Sequence, residues 1–233
     1  MGSWRAALLD EASKPYRKAD PFAYFFARGK LGIDPVYRAI LERGLLRQRS
    51  RILDLGCGQG LLTAWLRAAI LSYERGSWPD AWPEAPRPLS TRGIELTARD
   101  VERARRALGS DAVTAGDIRH LDFGAVDAVV ALDVLHYLAA PIQSDVLKRV
   151  RAALPAGGLL LLRVCDADGR GARCTRWTDR MVALLRGHVG FRPHYRGLSA
   201  WQTLLRESGF DSEPVPMSRG NPFANVLLVA RAI

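Results

Sequence analysis

Lysine is scarce in this chain. It occurs only at Lys14, Lys18, Lys30 and Lys148, so arginine carries nearly all of the positive side of a +10 net charge over 233 residues. The arginines are scattered, with no block of five or six, and the basic stretches lack interleaved stacking aromatics. That pattern argues against a nucleic-acid tail or a single-strand groove, despite the charge. Cysteine is also sparse. Cys57, Cys165 and Cys174 have no metal-ligand spacing, which argues against a disulfide framework and a zinc site, and no metal is expected. No apolar run reaches membrane-span length, and the first twenty residues carry charges throughout instead of a signal-peptide core. These absences leave a globular α/β protein in a reducing cytoplasm, long enough for one sizeable domain with an appended element.

The most informative segment is Arg51 to Gly60, Arg-Ile-Leu-Asp-Leu-Gly-Cys-Gly-Gln-Gly. Ile52, Leu53 and Leu55 form an apolar run that carries one carboxylate, Asp54, and opens into Gly56, Gly58 and Gly60. Leu61, Leu62, Trp65, Leu66 and Ile70 then follow helical spacing. Strand, glycine turn and helix in that order let a ligand approach the backbone at a helix N-terminus. A dinucleotide fold would place glycine or alanine where Leu61 stands, with an acid about 20 residues on. Neither condition holds: the acid that ends the next strand-like run is Glu95. The turn also has no lysine for a phosphate.

Three further segments follow in order: Gly93-Ile94-Glu95-Leu96, Gly116-Asp117-Ile118, and Val126 through Leu132-Asp133 to His136-Tyr137. With Asp54 to Gly60 they resemble a class I S-adenosylmethionine-dependent methyltransferase. A fifth stretch, Leu154 to Val164, resembles the turn and strand that come next. The resemblance covers residues 50 to 165 closely and the remainder by pattern. It implies a three-layer Rossmann-like α/β fold, with a seven-stranded, mostly parallel sheet and one antiparallel strand near the C-terminus. It also implies S-adenosylmethionine as cofactor. The implied cofactor residues are Asp54, Gly56, Cys57, Gly58, Gly60, Glu95, Leu96, Asp117, Ile118, Leu132 and Asp133.

The residue types suit that ligand. A carboxylate accepts from two ribose hydroxyls at once, which fits Glu95, and Asp117 can accept from the adenine amino group. Leu96 and Ile118 can pack on the ring, and Asp54 would face the cationic end of the cofactor. Asp54 in an apolar strand is costly to bury without such a role. Asp117 lies in a polar loop and reads equally as a surface acid, and Asp133 reads equally as a helix cap.

Residues 1 to 50 are expected to form an N-terminal helical lid, and 51 to 233 the methyltransferase domain. Two helices are predicted in the first part. One contains Phe22, Tyr24, Phe25 and Phe26, and the other opens at Asp34-Pro35. Arg28 and Lys30, flanking Gly29 between them, are candidates for the cofactor carboxylate. A proline-rich insertion at 73 to 92 holds Trp78 and Trp82, which would either meet a partner or pin the loop. Capping boxes are predicted at Thr97 and Ser199. A substrate-side insertion is expected at 166 to 198, with Trp177, Met181, Leu184 and Leu185 at helical spacing.

A sulfonium donor is already activated, so a base is needed only if the acceptor must lose a proton. His136 is the first candidate, with Tyr137 to position the acceptor, and His194 with Tyr195 is the second. No Asn-Pro-Pro-Tyr-like stretch follows the fourth strand and no Pro-Cys pair follows it, which turns the reading away from amino-adenine and cytosine acceptors. A small-molecule acceptor, aromatic or polyketide-like, is expected. An RNA methyltransferase and a non-catalytic cofactor-binding module remain the alternatives.

Overall fold

The structure is a computed structural model that describes residues 3–169, 171–174, 177, 193–217 and 223–233. Two compact units divide the chain, 1–121 and 122–233.

The first unit begins with three helices, α1 (Ser3–Ser13), α2 (Pro21–Ile33) and α3 (Pro35–Glu42). The sequence reading lacks α1, whose buried side chains Leu8, Leu9 and Ala12 face its neighbours instead of marking a polar-and-apolar alternation. Asp20 and Asp34 cap α2 and α3 by accepting from Ala23 N and Val36 N. Each precedes a proline at the first helical turn, where the missing N–H costs nothing. Strand β1 (Arg51–Leu55) leads into α4 (Leu61–Glu74), then β2 (Ser90–Glu95), α5 (Ala98–Leu108) and β3 (Val113–Ala115). The three strands pair in parallel, with Asp54 beside Gly93 and Glu95 beside Ala115.

The segment between α4 and β2 has neither helix nor strand, as its prolines require. Its tryptophans pin it to the body of the unit. Trp82 packs edge-on against Trp4 at 4.7 Å and against Trp78 at 5.5 Å, and Trp78 Nε1 donates to Pro83 O.

The second unit contains β4 (Ala128–Leu132), α6 (Ala140–Ala153), β5 (Leu159–Cys165), α7 (Leu198–Glu207), β6 (Phe210–Pro216) and β7 (Asn225–Ala232). β4 and β5 pair in parallel, and β7 runs antiparallel to both β5 and β6. Every residue of β5 is buried, Arg163 included. The strand order is β3-β2-β1-β4-β5-β7-β6, a Rossmann-like α/β sheet in which β7 alone runs against its neighbours.

Both predicted capping boxes are corrected. Thr97 makes no side-chain cap; its N–H instead donates to Glu95 Oε1. α7 starts one residue before Ser199, and Asp166 Oδ1 accepts from Leu198 N at its start. The Thr97 N–H turns back to Glu95 two residues upstream, and at the start of α7 the acceptor comes from Asp166, 32 residues away. The helical reading through Met181, Leu184 and Leu185 lies outside the described residues. Among the described residues no helix is long and apolar enough to cross a membrane.

Candidate functional site

In the first unit the site grows from the end of β1. Gly56, Gly58 and Gly60 all have positive φ, at 65°, 56° and 80°. Two of them explain the choice of glycine. At its φ of 80° any other residue in place of Gly60 would be strained, and a Cβ there would come within 2.7 Å of Leu108 Cδ1, which would have to shift. A Cβ on Gly58 would meet nothing within 4 Å, so this glycine keeps open space in front of the backbone.

The turn is tied to β2 by three bonds. Gly56 N and Cys57 N both donate to Ile94 O, at 2.9 and 3.1 Å, and Gly58 N donates to Glu95 Oε2 at 2.9 Å. Glu95 Oε1 accepts from Thr97 N at 2.8 Å, at the start of α5. Gly116 N donates to Glu95 O, which brings the loop after β3 to the same strand tip. Cys57 packs with Val101, Ala104 and Val113 as a small apolar group. Its sulfur occupies the space a Cβ on Gly93 would need, so Gly93 is required too.

Asp54 is buried, and no hydrogen bond reaches its carboxylate among the described residues. Burial, and after it the charge of Glu95, push its pKa up to about 8. The Cys57 thiol is pushed up as well, by burial first and then by Asp54 and Glu95. The base of the turn is therefore a region of negative potential that cannot hold two full charges without a counter-cation. Asp117 behaves oppositely. Arg119 holds its carboxyl below the usual range through side-chain and backbone hydrogen bonds, so it stays ionised. Ile118 is buried, whereas Leu96 is 61% exposed, a large apolar side chain left in the open beside Glu95.

Arg28 and Lys30 do not lie in a turn. Both are inside α2, where Arg28 pairs with Asp10 and Lys30 with Asp34. Two residues the sequence reading did not single out join the glycine turn instead. The Tyr16 hydroxyl donates to Gln59 O, and Gln59 Nε2 donates to Ala23 O.

In the second unit, Leu132 ends β4, and Asp133 adopts a left-handed conformation with φ 58°. Its carboxylate pairs with the buried guanidinium of Arg163. His136 is buried, its ring 4.4 Å from Tyr137 and stacked at 5.3 Å on Tyr195. His194 N donates to His136 O. Buried Gln143 ties these pieces together. Its Nε2 reaches Leu135 O, Leu138 O and His194 O, and its Oε1 accepts from Arg196 Nε. His136, Tyr137, His194 and Tyr195 thus form one cluster. Nothing local in the sequence marks Gln143 or Arg163, because each is defined by distant partners.

The family model described as a methyltransferase domain matches residues 27–215. A carboxy-S-adenosyl-L-methionine synthase of Chromohalobacter salexigens is 31% identical over 140 residues, covering 55% of this chain and 47% of that protein. The match thus spans about half the length of that curated relative. An O-methyltransferase family protein from Burkholderia thailandensis superposes with a TM-score of 0.62 at 17% identity, covering 93% of this chain and 61% of that one. The magnesium protoporphyrin IX methyltransferase of Synechocystis PCC 6803, solved with bound SAH, gives 0.60 at 17% identity and covers 98% of both chains. At these identities the structural likeness establishes the fold.

Two predictions follow from the buried charges. The Asp54 pKa is raised from 3.8 to about 8, so the folded state holds its proton more tightly than the unfolded state. Asp54 therefore lowers stability progressively as pH rises from about 4 to about 8. Urea unfolding of the wild type against Asp54→Asn should show a stability gap that widens by about 1.4 kcal/mol per pH unit across that window. In the second unit, Asp133→Asn should cost about 3 kcal/mol by removing the carboxylate that pairs with a buried guanidinium. Asn tolerates the left-handed conformation, and Asp133→Asn combined with Arg163→Met should recover most of the loss in the same assay.

Proposed function

The chain belongs to the methyltransferase-domain family, in its class I S-adenosylmethionine-dependent form, and from that premise we propose that it transfers a methyl group from S-adenosylmethionine to a small-molecule acceptor. The observation that carries the reading is the pair of buried carboxylates at the glycine turn. Glu95 is fixed by two backbone N–H groups, one on each oxygen, which leaves lone pairs on both oxygens for two ribose hydroxyls. Asp54 lacks a counter-cation in a site that disfavours two negative charges, and the donor's cationic methionyl end supplies one. Asp117 would accept from the adenine amino group, with Ile118 and the exposed Leu96 against the ring. The open space before Gly58 lets the donor approach the backbone.

The donor supplies an activated methyl group. The protein's contribution is to hold it and to align an acceptor for in-line attack. The His136, Tyr137, His194 and Tyr195 cluster is the acceptor-side candidate. His136 serves as base only for an acceptor that must lose a proton; otherwise its ring, stacked on Tyr195, is part of an aromatic wall. An aromatic or polyketide-like acceptor suits such a wall. The helices of residues 1 to 50 act as the lid in this reading, and the chain works in the cytoplasm. The match to a carboxy-S-adenosyl-L-methionine synthase favours a second reading, in which the adenosyl compound is itself the molecule modified.

Mass spectrometry of the reaction separates these readings. Methyl transfer yields S-adenosylhomocysteine and an acceptor heavier by one methylene, from a library of small phenols, amines and carbon acids. Modification of the donor, in reactions that also contain a carboxylic acid able to give up its carboxyl group, yields an adenosyl compound heavier by CO2, with no methylated acceptor. Methylation of RNA alone would overturn the small-molecule reading. Calorimetry should show that Glu95→Ala weakens S-adenosylhomocysteine binding roughly hundred-fold; unchanged affinity would remove Glu95 from the site. Affinity for S-adenosylmethionine should rise with pH as Asp54 ionises and level off above about 8. Asp54→Asn should flatten that profile.

A further inference from the structure

A single buried hydroxyl links the N-terminal helices to the glycine turn. Tyr16 lies in a short 3-10 turn (Lys14–Lys18) between α1 and α2 and is 0% exposed. Its hydroxyl donates to Gln59 O at 2.9 Å, across 43 residues of chain. Gln59 returns the contact, since its Nε2 donates to Ala23 O of α2 at 2.8 Å. One residue of the turn is therefore held at its backbone by the 3-10 segment and at its side chain by α2.

The position of that residue is what matters. Gln59 stands between Gly58, whose N–H holds Glu95, and Gly60, whose left-handed conformation opens α4. The carbonyl that Tyr16 grips belongs to the Gln59–Gly60 peptide. Its orientation fixes the direction of the Gly60 N–H, which donates to Cys57 O, and of the N–H groups that begin α4. A ring serving only as packing would need no hydroxyl there, because a buried hydroxyl is costly unless it is paired. Burial, with Cys57 and Asp54 nearby, holds this phenol protonated and so a permanent donor.

A second anchor binds the same segment to the far side of the turn. Asp20, the cap of α2, accepts from Arg103 of α5 at 2.7 Å, and Arg103 also pairs with Asp100. The Arg103 guanidinium lies 4.5 Å over the Phe22 ring. Residues 14 to 27 thus clasp both the glycine turn and the helix that follows Glu95. The clasp leaves one gap: Gln59 Oε1 is buried and accepts no hydrogen bond. An unmet buried acceptor on the Gln59 side chain marks a contact whose polar groups are not all satisfied.

We propose that Tyr16 is a positioning residue for the methyl-donor site: its hydroxyl sets the Gln59–Gly60 peptide in the form that receives the donor, so donor binding and docking of the N-terminal helices are one coupled event. This rests on the donor-site reading given above. Coupling is reciprocal: if the docked helices strengthen donor binding, bound donor must tighten the helices by the same factor.

The test uses the full chain and S-adenosylhomocysteine as probe. Calorimetry gives Kd for the wild type, Tyr16→Phe and Leu228→Ala, with urea unfolding of each. Hydrogen exchange then reads peptides covering residues 14 to 27, with and without the probe. Tyr16→Phe should bind roughly ten-fold more weakly and lose the probe-dependent protection of 14 to 27. Leu228→Ala, buried in β7 of the second unit, should lose stability yet keep the wild-type Kd. That contrast separates positioning from general destabilisation. A wild-type Kd in Tyr16→Phe would overturn the inference. If that variant fails to fold, wild-type exchange decides alone, and no probe-dependent protection over 14 to 27 overturns it. A wild-type protein that does not bind the probe would overturn the donor-site reading, and this inference with it. Binding without coupling overturns the inference only.

Discussion

The Glu95 carboxylate is the joint on which the first unit's site depends. It accepts the Gly58 N–H of the turn after β1 and the Thr97 N–H at the start of α5, while its own carbonyl accepts the Gly116 N–H after β3. Three chain segments, far apart in sequence, are brought to one strand tip by a single residue. An ionised acceptor makes stronger hydrogen bonds than a neutral one, so this joint is strong because it carries charge. Its neighbour Asp54 is difficult to ionise first because it is buried and then because of this same charge. Glu95 thus holds the turn together and adds to the cost of a second charge beside it.

That arrangement sets stability against function in a definite direction. An isoleucine or leucine in place of Asp54 would continue the apolar run of β1 without desolvation cost. Keeping a carboxyl there gives a buried site that becomes favourable to ionise only when positive charge arrives. In the proposed donor-site reading, the protonated form would be a neutral placeholder that an arriving cation converts to a partner. The site does not need a fixed lysine or arginine at the turn, which would compete with the ligand for the same acids. Arg28 and Lys30 are already spent on Asp10 and Asp34.

What could be read from the sequence was the part whose cause is local. The glycine turn, Glu95 at a strand end, and the prolines that bar helix from the insertion each follow from a few adjacent residues. Asp34-Pro35 was legible for the same reason. Where reading failed, the deciding partner was distant. At α7 the Leu198 N–H is taken by Asp166, 32 residues away; Thr97 is the local exception, its N–H turning back to Glu95 two residues upstream. Arg28 looked like a cation in a flexible turn because Gly29 follows it, but packing of α2 against α1 keeps the helix going and presents Asp10 as partner. Nothing in Leu-Leu-Leu-Leu-Arg-Val-Cys says what Arg163 meets. Asp133, held in a left-handed conformation at another strand's tip, pairs with it there. Tyr16 has no signature at all, because its partner is a backbone carbonyl.

The positive charge of the chain is best understood in the same terms. Arg103 joins two acids and covers a phenylalanine, Arg163 neutralises Asp133, Arg119 clamps Asp117, and Arg196 braces Gln143 while lying over Trp201. Each uses the planar, multi-donor guanidinium in a way that a lysine ammonium could not. A cationic surface for nucleic acid would instead present its charges outward and unmatched along one face. The arginines that define these sites point to acids, carbonyls and aromatic rings of the same unit. Pairing with acids leaves the net charge of +10 unchanged, since each pair takes one charge of either sign; what the pairs show is that these arginines have structural roles.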